Sequence, residues 1–167
     1  KGTELYGLYE ARKVNQRLDK IVIVEGYMDV VTLAQFGISN VVATLGTATT
    51  VQHLQRLFRY TSDIVFCFDG DNAGQNAAIR ALETALPIIR DGHSVSFIHL
   101  PDNHDPDSFV REFGAGEWAI MIENAHPLPK FLFRYLSDGI DIQSIEGKAK
   151  FAQTAREHIA KMPKGVY

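Results

Sequence analysis

This 167-residue sequence has only one cysteine, no long apolar run and no excess of positive charge. The single cysteine, Cys67, cannot form an internal disulfide, and the apolar residues around it favour a buried thiol. No apolar run approaches the ~18 residues that a membrane span needs. With 17 Lys+Arg against 20 Asp+Glu, the net charge is −3, which is not the footprint of a general nucleic-acid binder. We therefore expect a cytoplasmic protein without membrane contacts, whose binding of polyanions is local, metal-mediated or supplied by additional chain.

Apolar β-branched segments alternate with stretches of helical periodicity, which is typical of βαβ units around a parallel sheet. Four strands are predicted, at residues 21–25, 41–44, 63–68 and 94–100. The helices predicted between and after these strands cover about 28–35, 51–60, 75–89, 108–113 and 117–123. Beyond residue 125, two amphipathic stretches predict further helices, at 131–136 and 146–162. The predicted fold is an α/β domain with a mostly parallel four-stranded sheet flanked by helices, followed by a short all-α tail.

Carboxylates follow three of the four predicted strands. They are Glu25 after the first strand, Asp69 and Asp71 after the third, and Asp105 and Asp107 after the fourth. The carboxyl ends of parallel strands meet at one edge of a sheet, where open α/β folds bind their ligands. Crowded carboxylates repel one another unless a cation neutralises them, and hard oxygen ligands suit Mg²⁺ or Mn²⁺. The sequence therefore predicts a divalent-cation site at this edge, and the lack of a His or Cys cluster argues against zinc.

Ordinary structural roles are open to several of these residues. Asp69 and Asp71 suit a turn around Gly70, and Asp107 suits the cap of a helix that starts at Ser108. Glu25 has no evident capping role, because it ends a buried apolar strand. His104, within the acidic loop, is interpreted as a solvent contact rather than a metal ligand. The loop at Gly46-Thr47 fits a simple strand-to-helix turn better than a phosphate-binding loop.

Four motifs in a fixed order carry a resemblance to a known family. They are Val-Glu-Gly-Tyr-Met-Asp-Val at 24–30, Leu-Gly-Thr-Ala at 45–48, Phe-Asp-Gly-Asp-Asn-Ala-Gly at 68–74, and Leu-Pro at 100–101 with Asp-Pro-Asp at 105–107. Together they resemble the Toprim domain of bacterial DnaG-type primases. The resemblance implies a lead-in from an N-terminal core subdomain at 1–19, a Toprim domain at 20–125 and a truncated helical subdomain at 126–167. Neither end looks like a natural terminus, so we expect an excised catalytic-core fragment.

A DNA-directed RNA polymerase is the activity that this resemblance implies: a primase that makes short RNA primers for DNA replication by two-metal nucleotidyl transfer. By position, the implied catalytic and metal-binding acids are Glu25, Asp69 and Asp71, with Asp105 and Asp107 as further metal ligands. Lys1 matches a basic substrate-binding residue near the family's active site. The implied cofactor is Mg²⁺, with Mn²⁺ as an alternative, at two or more ions.

The implied partners are a single-stranded DNA template, ribonucleoside triphosphates and the RNA primer, at the replication fork in the bacterial cytoplasm. The replicative helicase is implied as a further partner, through a C-terminal domain expected outside this chain. Two alternatives remain, a non-catalytic Toprim scaffold module and a Toprim nuclease, since the domain alone does not fix the reaction. The complete set of five acids favours catalysis. Because a chain of charge −3 grips DNA poorly, we expect the isolated chain to bind metal and to prime little or not at all.

Overall fold

A computed structural model describes residues 3–15, 17–46 and 48–164. Within these ranges, seven helices and five strands follow one another along the chain. In order they are α1 (Leu8–Val14), β1 (Ile21–Val24), α2 (Tyr27–Gln35), β2 (Val41–Ala43), α3 (Val51–Leu57), β3 (Asp63–Phe68), α4 (Asn72–Ala85), β4 (Ser94–His99), α5 (Pro106–Glu123), β5 (His126–Pro127), α6 (Leu128–Ser137) and α7 (Ile145–Ile159). No helix in the described ranges is long and apolar enough to cross a membrane.

The sheet has the strand order β2-β1-β3-β4-β5. The first four strands are parallel, and β5 pairs with β4 in the antiparallel direction. Strands β1 and β3 lie side by side in the centre, with Val22 opposite Val65 and Ile23 opposite Phe66. Since the chain leaves β1 for one side of the sheet and later returns to the other, the crevice between β1 and β3 is the topological switch point.

Both faces of the sheet are buried, which explains the near-continuous apolar sequence of its central strands. Successive strand residues point to opposite faces, so Ile23 and Phe66 pack with α3 and α4 in one apolar cluster. Val24 and Cys67 pack on the other face, with α2 and α5, in a second cluster. The helices thus hold the central strands from both sides, and the carboxyl ends of these strands form a fixed edge.

The predicted α/β class with a mostly parallel sheet is confirmed, and the prediction of only four strands is wrong. The fifth strand is the two-residue β5, whose residues lie opposite Ser96 and Phe97. Two residues, one of them proline, show no alternation that sequence periodicity can detect. The short helix α1 was also not predicted.

Several helix boundaries differ from the prediction. Helix α4 begins at Asn72 rather than at residue 75. The prediction started it too late, because Asn72 and Gly74 in its first turn are residue types typical of loops. It ends at Ala85, and α3 ends at Leu57 rather than at residue 60. The two short helices predicted at 108–113 and 117–123 form one run, α5, interrupted at Gly114 by a non-helical backbone (φ 82°, ψ 173°).

Candidate metal and catalytic site

Acidic residues surround an open cavity of about 510 Å³ at the carboxyl edge of the sheet. Its lining includes Glu25 and Asp29 after β1, Asp69 after β3, and Asp105 before α5. We call this the acid cavity. Asp71 lies beside it, close enough for its charge to raise the pKa of both Glu25 and Asp69. The parallel sheet therefore brings together four of the five predicted acids, as the sequence predicted from the strand ends.

A backbone contact at Gly70 holds the loops after β3 and β4 together. The Gly70 N–H donates to the carbonyl of His104 (2.9 Å), and the Asn103 N–H donates to the carbonyl of Gly70 (3.4 Å). A Cβ atom at position 70 would lie 1.9 Å from the carbonyl oxygen of Pro101. Only glycine permits this approach, so the glycine between Asp69 and Asp71 is needed to bring the β3 acids beside Asp105.

Two of the acids also cap helices. Asp71 accepts a hydrogen bond from the N–H of Gly74 (2.7 Å) at the start of α4. Asp105 Oδ1 accepts from both the N–H and the hydroxyl of Ser108 (2.7 Å each) at the start of α5. The interpretation of Asp107 as a cap is wrong, because α5 starts at Pro106 and Asp105 is its cap. In both caps these hydrogen bonds engage a single carboxylate oxygen, Oδ1. Capping therefore fixes the side chain without using its whole ligand capacity.

Asp29 is the acid that was not predicted as a site residue. It lies in the first turn of α2, where its Oδ2 accepts a hydrogen bond from the N–H of Gly26 (3.0 Å), and it is 9% exposed. Burial raises its pKa to about 6, assisted by the charges of Asp105 and Asp107 and opposed by hydrogen bonds from backbone N–H groups. An aspartate in a first helical turn ordinarily interacts with the helix terminus, so the sequence alone gave no reason to single it out.

Repulsion among the acids is the dominant electrostatic feature of the acid cavity. Burial raises the pKa of Asp69 to about 7, and the charges of Glu25, Asp29, Asp105 and Asp71 add to the shift. The pKa of Glu25 is raised by burial and by Asp71, and lowered by the nearby guanidinium of Arg80. These carboxylates lack sufficient positive charge around them, and a bound cation would supply it.

Asp107 has different surroundings. Its carboxylate accepts hydrogen bonds from the Thr32 hydroxyl of α2 and from Nε of Arg111 (3.0 Å) in α5. These bonds hold its pKa below the ordinary value. Thr32, Asp107 and Arg111 form what we call the α2–α5 clamp. Asp107, predicted as a metal ligand, therefore has a cationic partner of its own and does not line the acid cavity.

The donor set fits a divalent cation in kind. The acid cavity offers carboxylate oxygens, partly desolvated and mutually repelling, which suits Mg²⁺ or Mn²⁺ better than softer metals. Within the described ranges, however, no three His, Cys, Asp or Glu side chains already converge as a ready metal site. His104 makes a surface ion pair with Glu112 (3.0 Å). Lys1 and Thr47, both named from the sequence, lie outside the described residues.

Comparison with known protein families gives two matches along the chain. A family profile described as Toprim-like matches residues 22–110, which includes every residue that lines the acid cavity. A second profile, described as the DnaB-helicase binding domain of primase, matches residues 129–167. This second match lies within the chain, whereas the helicase-binding part was expected outside it. That expectation is wrong for the segment containing α6 and α7.

Individual relatives agree with the family profiles. A DNA primase of Pseudomonas putida is 52% identical over 164 residues, which cover 98% of this chain and 25% of the relative. A crystal structure of a DNA primase domain from Pseudomonas aeruginosa superposes with a TM-score of 0.94 at 52% identity, over 97% of this chain and 51% of that one. A DnaG primase catalytic domain bound to single-stranded DNA has a TM-score of 0.92 at 46% identity, over 98% of this chain and 53% of that one. The chain thus spans about a quarter of the length of the curated relative that it matches. The resemblance to bacterial DnaG-type primases is confirmed, and the chain belongs to the Toprim-like family.

Proposed function

We propose that this chain is the metal-binding catalytic part of a primase, a DNA-directed RNA polymerase that synthesises short RNA primers for DNA replication. One observation carries the proposal: the acids at the ends of β1 and β3 and before α5 surround one cavity, with raised pKa values at Glu25, Asp29 and Asp69. Strongly perturbed carboxylates in a cleft are typical of functional sites. Relatives that match nearly the whole chain are DNA primases, which supports this reaction for the acid cavity.

The metal ligands that we propose are Glu25, Asp69 and Asp71, with Asp105 and Asp29 completing the set around two or more Mg²⁺ or Mn²⁺ ions. When bound, such ions hold the reacting groups in line and neutralise the charge of the transferred phosphoryl group. Asp107 stays a predicted ligand, to be tested against its role in the α2–α5 clamp. The division of the chain at about residues 19 and 125 also stays a prediction.

The side chains of the acid cavity are positioned by rigid elements. Glu25 directly follows the buried strand β1, while Asp71 and Asp105 are fixed by their capping bonds. In primer extension, the 3′-oxygen of the primer forms a bond to the α-phosphorus of a ribonucleoside triphosphate, and the bond from that phosphorus to its bridging oxygen breaks. Pyrophosphate leaves with the electron pair. Glu25 has a second candidate role besides metal binding. With its raised pKa, it is the candidate general base that accepts the proton of the 3′-hydroxyl.

Further partners follow from the same proposal. We assign a single-stranded DNA template, ribonucleoside triphosphates and the RNA primer to the acid cavity and its surroundings, and place the protein in the cytoplasm. The helicase-binding profile on residues 129–167 supports a contact of α6 and α7 with the replicative helicase. Lys1 stays a proposed substrate-binding residue. The net charge of −3 supports the view that strands are held largely by other parts of the complete protein.

Primer synthesis by the complete protein on single-stranded DNA, with Mg²⁺ and ribonucleotides, tests the proposal. Asp69→Asn should lower the rate of priming by roughly a thousandfold or more, because it removes a metal-binding charge while keeping the side chain's size. Asp91→Asn is the matched control, since Asp91 is exposed in the turn before β4, at the opposite edge of the sheet. Normal priming by the Asp69→Asn protein would refute the proposal.

The two alternatives give different results in the same assay. A Toprim nuclease would degrade labelled single-stranded DNA in the presence of Mg²⁺ and would make no RNA. A scaffold module would do neither, and its assembly with partners would survive Asp69→Asn. Metal-dependent RNA synthesis that Asp69→Asn abolishes is the outcome that only the primase proposal predicts.

A further inference from the structure

A second cavity, of about 210 Å³, lies next to the acid cavity on the other face of the sheet edge. Its walls are formed by the ends of β1 and β3, by Thr44, Gly46, Ala48 and Thr49 after β2, and by Ala77, Arg80 and Ala81 of α4. Glu25 and Gly46 line both cavities, so they form the partition between them. We call this second space the Arg80 cavity. It is large enough for a small hydrated anion.

Arg80 is the cation of this cavity. It projects from α4, and among the described residues that line the cavity only Arg80 and Glu25 carry charge. The guanidinium is near enough to Glu25 to lower the pKa of that carboxyl, yet no ion pair or side-chain hydrogen bond of Arg80 occurs within the described ranges. An arginine whose side chain makes no hydrogen bond to the described residues has N–H donors to offer an anion, and its planar fork suits phosphate oxygens.

The position of Arg80 fits one part of the substrate. In a nucleoside triphosphate the reacting phosphorus is attached on one side to the nucleoside and on the other to the two terminal phosphates. If the reacting phosphorus lies at the acid cavity, the terminal phosphates extend past a wall of that cavity. Glu25 is such a wall, and behind it lies the Arg80 cavity, with a cation and the polar side chain of Thr49 in its lining. Asp29, Asp69 and Asp105 on other walls of the acid cavity repel phosphate, and the remaining lining residues, Gly26, Tyr27, Leu45 and Gly46, supply no cation.

We propose that the Arg80 cavity receives the terminal phosphates of the ribonucleoside triphosphate and holds them as pyrophosphate when the bond to the α-phosphorus breaks. Arg80 is the binding residue, and Thr44, Gly46, Ala48 and Thr49 line the same cavity. This inference rests on the proposed primase function, which the Asp69→Asn assay tests separately.

Substitution of Arg80 in the complete protein provides the test. Arg80→Ala should raise both the KM for ribonucleoside triphosphates and the inhibition constant of added inorganic pyrophosphate by roughly tenfold to a hundredfold. Arg80→Lys should recover part of this loss, since it restores the charge without the fork. Arg90→Ala is the matched control, because Arg90 is exposed beyond the end of α4 and does not line the cavity. Thermal midpoints of all variants show whether each protein is folded.

A variant that narrows the cavity gives an independent measurement. Ala77 lines the Arg80 cavity on α4, and Ala77→Leu fills space there without changing charge. It should weaken pyrophosphate inhibition in the same direction as Arg80→Ala. The neighbouring exposed position Asn76 does not line the cavity, so Asn76→Leu should leave the inhibition unchanged.

Three outcomes overturn the inference. A fall in kcat with an unchanged inhibition constant for pyrophosphate would mean that Arg80 acts only on the charge of Glu25. A weaker affinity for template DNA, again with unchanged inhibition by pyrophosphate, would mean that Arg80 contacts a strand phosphate. Normal kinetics for both Arg80→Ala and Ala77→Leu would mean that the cavity is not used. In each case the primase proposal stands if the wild-type protein primes and the Asp69→Asn protein does not.

Discussion

The acid cavity and the α2–α5 clamp are built from neighbouring carboxylates with opposite electrostatic surroundings. Asp69 is partly buried among other acids, which raises its pKa to about 7. Asp107 accepts hydrogen bonds from Thr32 and Arg111, which lower its pKa. Both acids follow predicted strand ends, and the sequence placed them in one group. The difference lies in the partners, because one carboxylate is compensated by the protein and the other is not.

An uncompensated carboxylate costs free energy of folding, whereas a compensated one does not. A protein that keeps four or five acids close together with too little positive charge around them loses stability at that place, as functional sites often do. The α2–α5 clamp does not lower the stability in this way, since the charges of Asp107 and Arg111 compensate each other. The comparison therefore separates acids that are available to a metal ion from an acid that joins two helices.

Gly70→Ala should have the largest effect on stability, because it disturbs the contact that brings the acids of the acid cavity together. The new Cβ would overlap the carbonyl of Pro101, so the loops after β3 and β4 must move apart. We expect a loss of about 3 kcal/mol in the free energy of unfolding, measured by urea denaturation. Gly116→Ala is the control, because nothing lies within 4 Å of a Cβ at that position. Equal stability of the two variants would show that the loops are not held by backbone contact.

Asp29→Asn tests whether the unpredicted acid belongs to the metal-binding acids of the acid cavity. The amide oxygen can still accept the hydrogen bond from Gly26, while the negative charge is lost. We expect priming by the complete protein to fall roughly a hundredfold, or about 2.7 kcal/mol, and the thermal midpoint without metal to rise. Asp19, exposed and paired with Arg17, supplies the control Asp19→Asn. Full activity of the Asp29→Asn protein would exclude Asp29 from the metal-binding set.

The pH dependence of stability should differ between the two groups of acids. For Asp29 and Asp69 the folded-state pKa values, about 6 and about 7, lie above the ordinary value of 3.8 for an aspartate. Between pH 4 and pH 7 the folded state therefore holds protons that the unfolded state releases, so stability falls as the pH rises through this window. We expect the thermal midpoint of the metal-free protein to fall by several degrees there, at about 2–4 °C per kcal/mol.

Metal addition and removal complete that experiment. At pH 7.5, Mg²⁺ or Mn²⁺ should raise the thermal midpoint, and EDTA should reverse the rise, because a ligand that binds only the folded state stabilises it. The double variant Asp29→Asn with Asp69→Asn should show a flatter pH profile and no response to metal. An identical pH profile in wild type and double variant would mean that other groups cause the fall.

Asp107→Asn should have the smallest effect, because it weakens one partly exposed ion pair and keeps an acceptor for Thr32. We expect a loss of about 1 kcal/mol or less in the free energy of unfolding, and a similar loss for Arg111→Ala. The rise of the thermal midpoint with Mg²⁺ should remain in both variants. If Asp107→Asn abolishes that rise, Asp107 belongs with the acid cavity and the comparison fails.

Much of the acid cavity could be predicted from the sequence, because parallel strands bring their carboxyl ends to one edge whatever the details of packing. Glu25, Asp69 and Asp105 line the cavity for this reason, with Asp71 beside it. The position of Asp29 depends on how α2 is docked, and a short-range pattern does not contain that information. The surroundings of Asp107 depend likewise on its contact with Thr32 of α2, which is 75 residues away in the chain.

The fold shows the same division between local and distant causes. The four parallel strands have strong apolar patterns, and all were predicted. Strand β5 exists only because β4 offers Ser96 and Phe97 as partners, so its two residues carry no signal of their own. The start of α4 was missed for a different reason, since Asn72 and Gly74 are poor helix formers and the capping bond from Gly74 to Asp71 compensates for them.

The buried thiol of Cys67 has a practical consequence for studies in solution. Cys67 is 1% exposed, and burial, together with the charges of Asp69, Asp29 and Glu25, raises its pKa well above that of a free thiol. A thiol that is neither ionised nor accessible reacts slowly with alkylating reagents. Cysteine introduced at an exposed position such as Asn76 would therefore be the single fast-reacting site of this chain. A fluorophore or spin label attached there could report nucleotide arrival without removal of the native cysteine.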